Sequence, residues 1–396
     1  MLSAALRKNP VILVPGFAGS KLVDVCPVVP PTNADKGLQF RKHKNDFVNL
    51  NIFDKQWKEK FALKYDKAAA RLSVDDTIDV HSFGGVEGIR NLCYDCTRID
   101  SVFNYFFKTD VINKMYNYRY FDTLIERLES SGYVPTIDLF GAPYDFRKIM
   151  VRTYLESYFD RLKGLIERSH DVNDRPAVVV AHSIGCLIIY IFLVEYCDPV
   201  WKRKHIDKFV SVGGPYGGSS IALKTLLSGL PKLNLLKEQY HEVMRNSTGL
   251  LLALPNELGY ERGQGLVHDL VMSKTYNRRN YAELLPEPSA TLWKNDVLPF
   301  VPTLIQNTGV KTVIVTTTDC KTEVAYAYEG MDPKFMTEPV TVFYASGDGV
   351  IPSNSLKFHS VRRKMYPNYT FAQVPDNEHT RLLYSEKLFE LIMNSS

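Results

Sequence analysis

Cysteine is scarce: six residues in a chain of 396 are too few and too scattered for a disulfide scaffold. Cys93 and Cys96 form one CxxC, but no second cysteine or histidine pair stands at zinc-ligand spacing. Zinc is therefore not expected at that pair, which reads as plain thiols or, alternatively, a reversible disulfide, and no metal or organic cofactor is expected elsewhere. Excess charge is lacking too. The 48 basic and 44 acidic side chains leave +4, too little to argue for nucleic acid but no obstacle to an anionic lipid surface. Repeats and low-complexity tracts are absent, and 45% apolar with 23% charged residues excludes a disordered or fibrous chain.

A leader and a membrane span are also missing from the pattern. The residues before Val11 hold no apolar core, and the longest apolar run, 177–194, carries His182, Ser183 and Gly185 near its middle. These absences predict a cytoplasmic or peripheral-membrane protein. The sequons at Asn246, Asn368 and Asn394 are too common by chance to change that.

What is present alternates between strand and helix. Apolar runs at 10–14, 177–180 and 209–212 read as buried strands. Residues 134–140, 311–316 and 340–345 read as further strands. Phe121, Leu124, Ile125 and Leu128 have helical spacing, stopped by Gly132. Residues 154–166, 186–196 and 380–393 read as helices, and 219–310 as a leucine-rich helical insertion. Such alternation predicts an α/β fold with a mostly parallel sheet covered by helices on both faces.

Ala181-His182-Ser183-Ile184-Gly185 joins an apolar strand to an apolar helix with serine at the apex. This matches the nucleophile elbow of α/β-hydrolases, G-x-S-x-G, with Ala181 as the first small residue. The serine of such a turn adopts strained backbone angles, and it needs a base that is itself oriented by an acid. In this fold the order along the chain is serine, acid, histidine, each in a loop past a strand. Asp348, after VTVFYASG, and His379, in PDNEHT, satisfy that order. Asp319 is the rival acid. His359 is the rival base, set in a stretch, LKFHSVRRK, that reads as a solvated helix face. His241 and His268 precede the acid and break the order. Oxyanion donors are expected from the amide of Ile184 and from the loop 15–19, with Phe17 first and Ala18 second.

Six segments in this order, VILVPGFAGSKL, FGAPYDFRK, VVAHSIGCLIIYIFL, FVSVGGPYGGS, SGDGVIPSNSL and DNEHTRLLYSEKL, resemble the motif series of the lecithin:cholesterol acyltransferase family. The resemblance spans nearly the whole chain, and GAPYDFR is its most diagnostic block. It implies one α/β-hydrolase domain over 1–396, with a lid or membrane-facing segment at 41–120 and a cap at 219–335. Ser183, Asp348 and His379 match the family's nucleophile, acid and base, and Phe17 and Ile184 its oxyanion positions. The implied substrates are a glycerophospholipid and an acyl acceptor, alcohol or water, with an acyl-serine intermediate. Alternatives are a neutral-lipid or sterol-ester lipase and an inactive lipid-binding scaffold. The disulfide-closed lid loop of members near the lysosomal enzyme has no counterpart, because 41–75 contains no cysteine. Trp57 stands there either for lipid contact or for core packing. Family members are often secretory or lysosomal. Asp145 and Arg147, two residues apart in GAPYDFR, read as a structural loop network.

Overall fold

A computed structural model describes residues 8–25, 43–47, 62–72, 78–91, 119–229, 242–330 and 338–394. Trp57, His241, Cys26, Cys93 and Cys96, with most of 41–120, lie outside the described residues. The first strand, β1 (Val11–Val14), is followed by β2 (Leu22–Val25), β3 (His43–Phe47), β4 (Tyr65–Asp66), β5 (Arg71–Leu72) and β6 (Ile78–Val80). Then come β7 (Leu139–Gly141), β8 (Ala177–His182), β9 (Ile206–Val212), β10 (Val267–Asp269) and β11 (Lys274–Tyr276). The last are β12 (Lys311–Thr316), β13 (Cys320–Tyr328), β14 (Thr341–Gly347) and β15 (Tyr369–Gln373).

The central sheet has the order β15-β12-β9-β8-β1-β7, with every pair parallel. Parallel strands need crossovers that cover both faces, so inner strands are apolar on both sides. β1 and β8 are buried at every position. Odd-numbered Val11, Leu13 and even-numbered Val178, Val180 face one apolar cluster, while Ile12, Val14, Val179 and Ala181 face the other. This is the mostly parallel sheet that the alternation predicts and the α/β-hydrolase core that the resemblance implies.

Several boundaries differ from the expected ones. The strand expected at 134–140 begins only at Leu139, because Val134–Asp138 is a turn with Thr136 at φ 65°. The Asp138 carboxylate closes that turn by accepting the Val134 N–H at 2.5 Å. The helix expected at 154–166 runs from Arg152 to Asn173 and stops at left-handed Asp174. The expected terminal helix splits into a 3-10 turn, Arg381–Tyr384, and a helix Glu386–Met393 capped by the Ser385 hydroxyl, which accepts the Leu388 N–H.

The larger difference is a second sheet, β11-β10-β13-β14. The region expected to be helical from 219 to 310 contributes two of its strands. The strand expected at 340–345 joins it, pairing antiparallel with β13 rather than entering the central sheet. β13 escaped recognition because Lys321 and Glu323 interrupt its apolar pattern; the buried Glu323 carboxylate pairs with Lys224 (2.5 Å) and accepts the Tyr326 hydroxyl at 3.0 Å.

Candidate active site

Strand β8 ends at His182, and the helix Ile184–Ile191 begins two residues later. Ser183, between them, holds φ 55° and ψ −130°, the strained geometry expected of an elbow. Two glycines permit it. A Cβ on Gly185 would lie 2.3 Å from the Pro15 carbonyl oxygen, and one on Gly16 would lie 2.7 Å from the Ser183 Cβ. The loop after β1 is therefore packed directly onto the elbow.

His379 Nε2 is 3.0 Å from Ser183 Oγ, and His379 Nδ1 is 2.6 Å from Asp348 Oδ2. A carboxylate accepts only, so Nδ1 carries the proton and the Nε2 lone pair faces the serine hydroxyl. The other carboxylate oxygen, Oδ1, accepts the N–H groups of Val350 at 2.9 Å and Ile351 at 2.6 Å. The His379 N–H donates to the Asp348 carbonyl at 2.9 Å, so the two loops are joined through backbone as well. All three side chains are buried, with Ser183 the most accessible at 7%. The three residues singled out from the sequence are thus brought together. Their supports differ from expectation: Asp348 follows a strand of the second sheet, and His379 follows β15, which was not foreseen.

The rivals lie elsewhere. Asp319 uses Oδ2 to accept the Asp376 N–H at 3.0 Å, steadying the loop before His379. His268 pairs with Thr275 in the second sheet. His359 is not on a solvated face. It is fully buried, with Nε2 3.1 Å from the Leu304 carbonyl and 3.1 Å from the Tyr190 hydroxyl, while Arg362, Arg363 and Lys364 after it are exposed. The basic tail of the segment misled the reading. Burial pushes His359 down to about 3, so it stays neutral.

Ile184 supplies the first amide of its helix, where N–H groups lack intrahelical acceptors. Phe17 belongs to the loop on Ser183, and the GAPYDFR block clamps that loop. Tyr144 donates its hydroxyl to the Pro15 carbonyl at 2.9 Å and its N–H to Ser20 Oγ at 3.0 Å. The rings of Phe17 and Phe146 meet edge-on at 4.9 Å. Asp145 and Arg147 form a buried pair, Nη2 to Oδ2 at 2.6 Å and Nε to Oδ1 at 2.9 Å, as the structural reading expects. Burial alone would raise the Asp145 carboxyl; Arg147, aided by Lys148, holds it below its ordinary value instead. On the far side, the Phe146 and Arg147 carbonyls accept N–H groups from Gly249 and Thr248.

Cys186, one turn past the serine, is pushed up to about 12 by burial and stays a thiol at neutral pH. Cys197 and Cys320 are likewise unpaired by disulfide. Among the described residues, no group of three His, Cys, Asp or Glu is placed to hold a metal, and no helix is long and apolar enough to cross a membrane. Sequence reasoning missed Tyr120, which stands in no motif, and set His182 aside as a base because it precedes the serine; both touch this site.

The model of the lecithin:cholesterol acyltransferase family matches residues 87–311, more than half of the chain and including Ser183. The chain is 26% identical to phosphatidylcholine-sterol acyltransferase of Oryctolagus cuniculus, covering 97% of this chain and 84% of that protein. It is 26% identical to lysosomal phospholipase A and acyltransferase of Canis lupus familiaris, covering 95% and 88%. With a family match over most of the chain, and an elbow serine, a histidine and a carboxylate in hydrogen-bonded line, the chain belongs to the lecithin:cholesterol acyltransferase family.

Proposed function

We propose that this protein is a serine acyltransferase and phospholipase A acting on glycerophospholipids. The hydrogen-bonded line from Ser183 through His379 to Asp348 carries the reading. His379 Nε2 takes the Ser183 hydroxyl proton as Oγ attacks the ester carbonyl carbon. The amides of Phe17 and Ile184 hold the oxyanion of the tetrahedral intermediate. Its collapse breaks the bond to the glycerol oxygen, and the His379 imidazolium returns the proton to that oxygen. Lysophospholipid leaves, and an acyl ester remains on Ser183. An alcohol or water then gives its proton to His379 and attacks the acyl carbon. Expulsion of Ser183 Oγ, reprotonated by His379, restores the enzyme. Asp348 fixes the tautomer and steadies the imidazolium throughout. In this reading the whole chain is one hydrolase domain, 219–335 caps the acyl site, 41–120 faces the lipid, and the protein works at a membrane or other lipid surface.

The test is a fluorophosphonate probe. Wild-type protein takes the label and cleaves phospholipid in vesicles, and Ser183→Ala does neither. Equal labelling of wild type and Ser183→Ala would refute the assignment.

A further inference from the structure

A second polar chain runs beside the catalytic line. The Gly16 N–H donates to the Tyr120 hydroxyl at 2.8 Å; that hydroxyl lies 2.7 Å from His182 Nδ1; and His182 Nε2 lies 3.2 Å from the His379 carbonyl oxygen. Tyr120 and His182 are both buried. The proton positions follow from the partners. A carbonyl only accepts, so His182 Nε2 carries the hydrogen. Burial, with His379 alongside, holds His182 well below its ordinary range, so the ring is neutral and Nδ1 is an acceptor. The Tyr120 hydroxyl therefore donates to Nδ1, leaving its lone pairs for the Gly16 N–H. Each link has one donor and one acceptor.

The two ends of this chain are loop residues. Gly16 precedes Phe17 in the loop packed on Ser183, where Ala18 has φ 55°. His379 lies in the loop after β15, three residues past left-handed Asp376. The middle is better anchored. His182 closes β8, in register with Val212 of β9. Tyr120 packs on Phe121, just before the helix Asp122–Ser130.

We infer that Tyr120 and His182 are positioning residues that tie the oxyanion loop at Gly16 to the backbone of the base at His379, fixing their separation before substrate arrives. The inference rests on the acyl-serine reading above. Oxyanion donors act only when aimed at the developing charge, and a misplacement of about 1 Å costs about 100-fold.

The experiment compares Tyr120→Phe, which keeps the ring, with His182→Gln, which keeps an amide donor, and His182→Leu, which keeps neither polar atom. Active serines are counted by fluorophosphonate titration. Turnover of phosphatidylcholine vesicles is expressed per titrated serine, with KM and melting temperature measured alongside. Expected are a fall in kcat of about 10- to 100-fold for Tyr120→Phe with KM within about twofold, and His182→Gln more active than His182→Leu. A purely structural role would lower the melting temperature or the titratable fraction and leave kcat per titrated serine at the wild-type value. That result in Tyr120→Phe, or in His182→Gln if the former does not fold, overturns the inference. Absence of titration in the wild type would instead overturn the serine-enzyme reading beneath it.

Discussion

The turn at Ser183 leaves no room at Gly185. Alanine there would press on the Pro15 carbonyl, a backbone atom that cannot swing aside, and overpacking of this kind costs about 1–3 kcal/mol. Gly185→Ala should lower the melting temperature and, by displacing the loop that carries Phe17, reduce turnover more than stability alone explains. Asp348→Asn tests a different property of the site. An amide nitrogen offered to Nδ1 reverses the His379 tautomer, so kcat should fall by about 10⁴-fold with little change in melting temperature. His359 gives a pH prediction. It is pushed down to about 3 in the folded chain against an ordinary 6.5. Below about pH 6.5 the unfolded chain binds a proton there that the folded chain does not, so stability falls as pH drops. Urea midpoints at pH 7 and pH 5 should lie closer together in His359→Gln than in wild type. At this scale Ser183, Asp348 and His379 were legible because order along the chain and the demand for small neighbours constrain them. Tyr120 and the burial of His359 were not, because both depend on contacts made far apart in sequence.

Between elements, residues 144–147, braced by the Asp145–Arg147 pair, join the loop after β1 to the segment beginning at Thr248. Removing Asp145 takes the two-point carboxylate contact from the buried Arg147, and Asp145→Ala should cost about 3–5 kcal/mol. Replacing both with apolar residues of similar volume should cost less than the two single changes summed, in a double-mutant cycle of chemical denaturation. Additive costs would mean that the pair is not coupled. The strands β1 and β8 could be read from the chain because parallel strands buried on both faces are uninterrupted apolar runs, whereas only 209–212 of β9 could, because Asp207 and Lys208 break the run before it. β13 could not, since a buried Glu323 looks polar until Lys224, on a distant helix, is brought to it. β15, five residues long and only partly buried, lacks any strong period.

For the molecule as a whole, the proposed chemistry makes two reactions share one intermediate. Once lysophospholipid has left, the acyl group on Ser183 carries no record of the headgroup it came from. Water and an acceptor alcohol then compete for the same species, and their ratio depends on access through the cap and on acceptor concentration. Transfer and hydrolysis products should therefore appear in the same ratio from phosphatidylcholine, phosphatidylethanolamine and phosphatidylglycerol vesicles that bear identical acyl chains and equal acceptor. The rates of lysophospholipid release will differ among those headgroups, because acylation and lipid binding feel them. Raising the acceptor should shift acyl from free fatty acid to acylated product along one curve for all three lipids. Product ratios that track the headgroup at fixed acceptor would mean that acyl passes from one bound lipid to the next without the enzyme ester, and would place the chemistry outside Ser183.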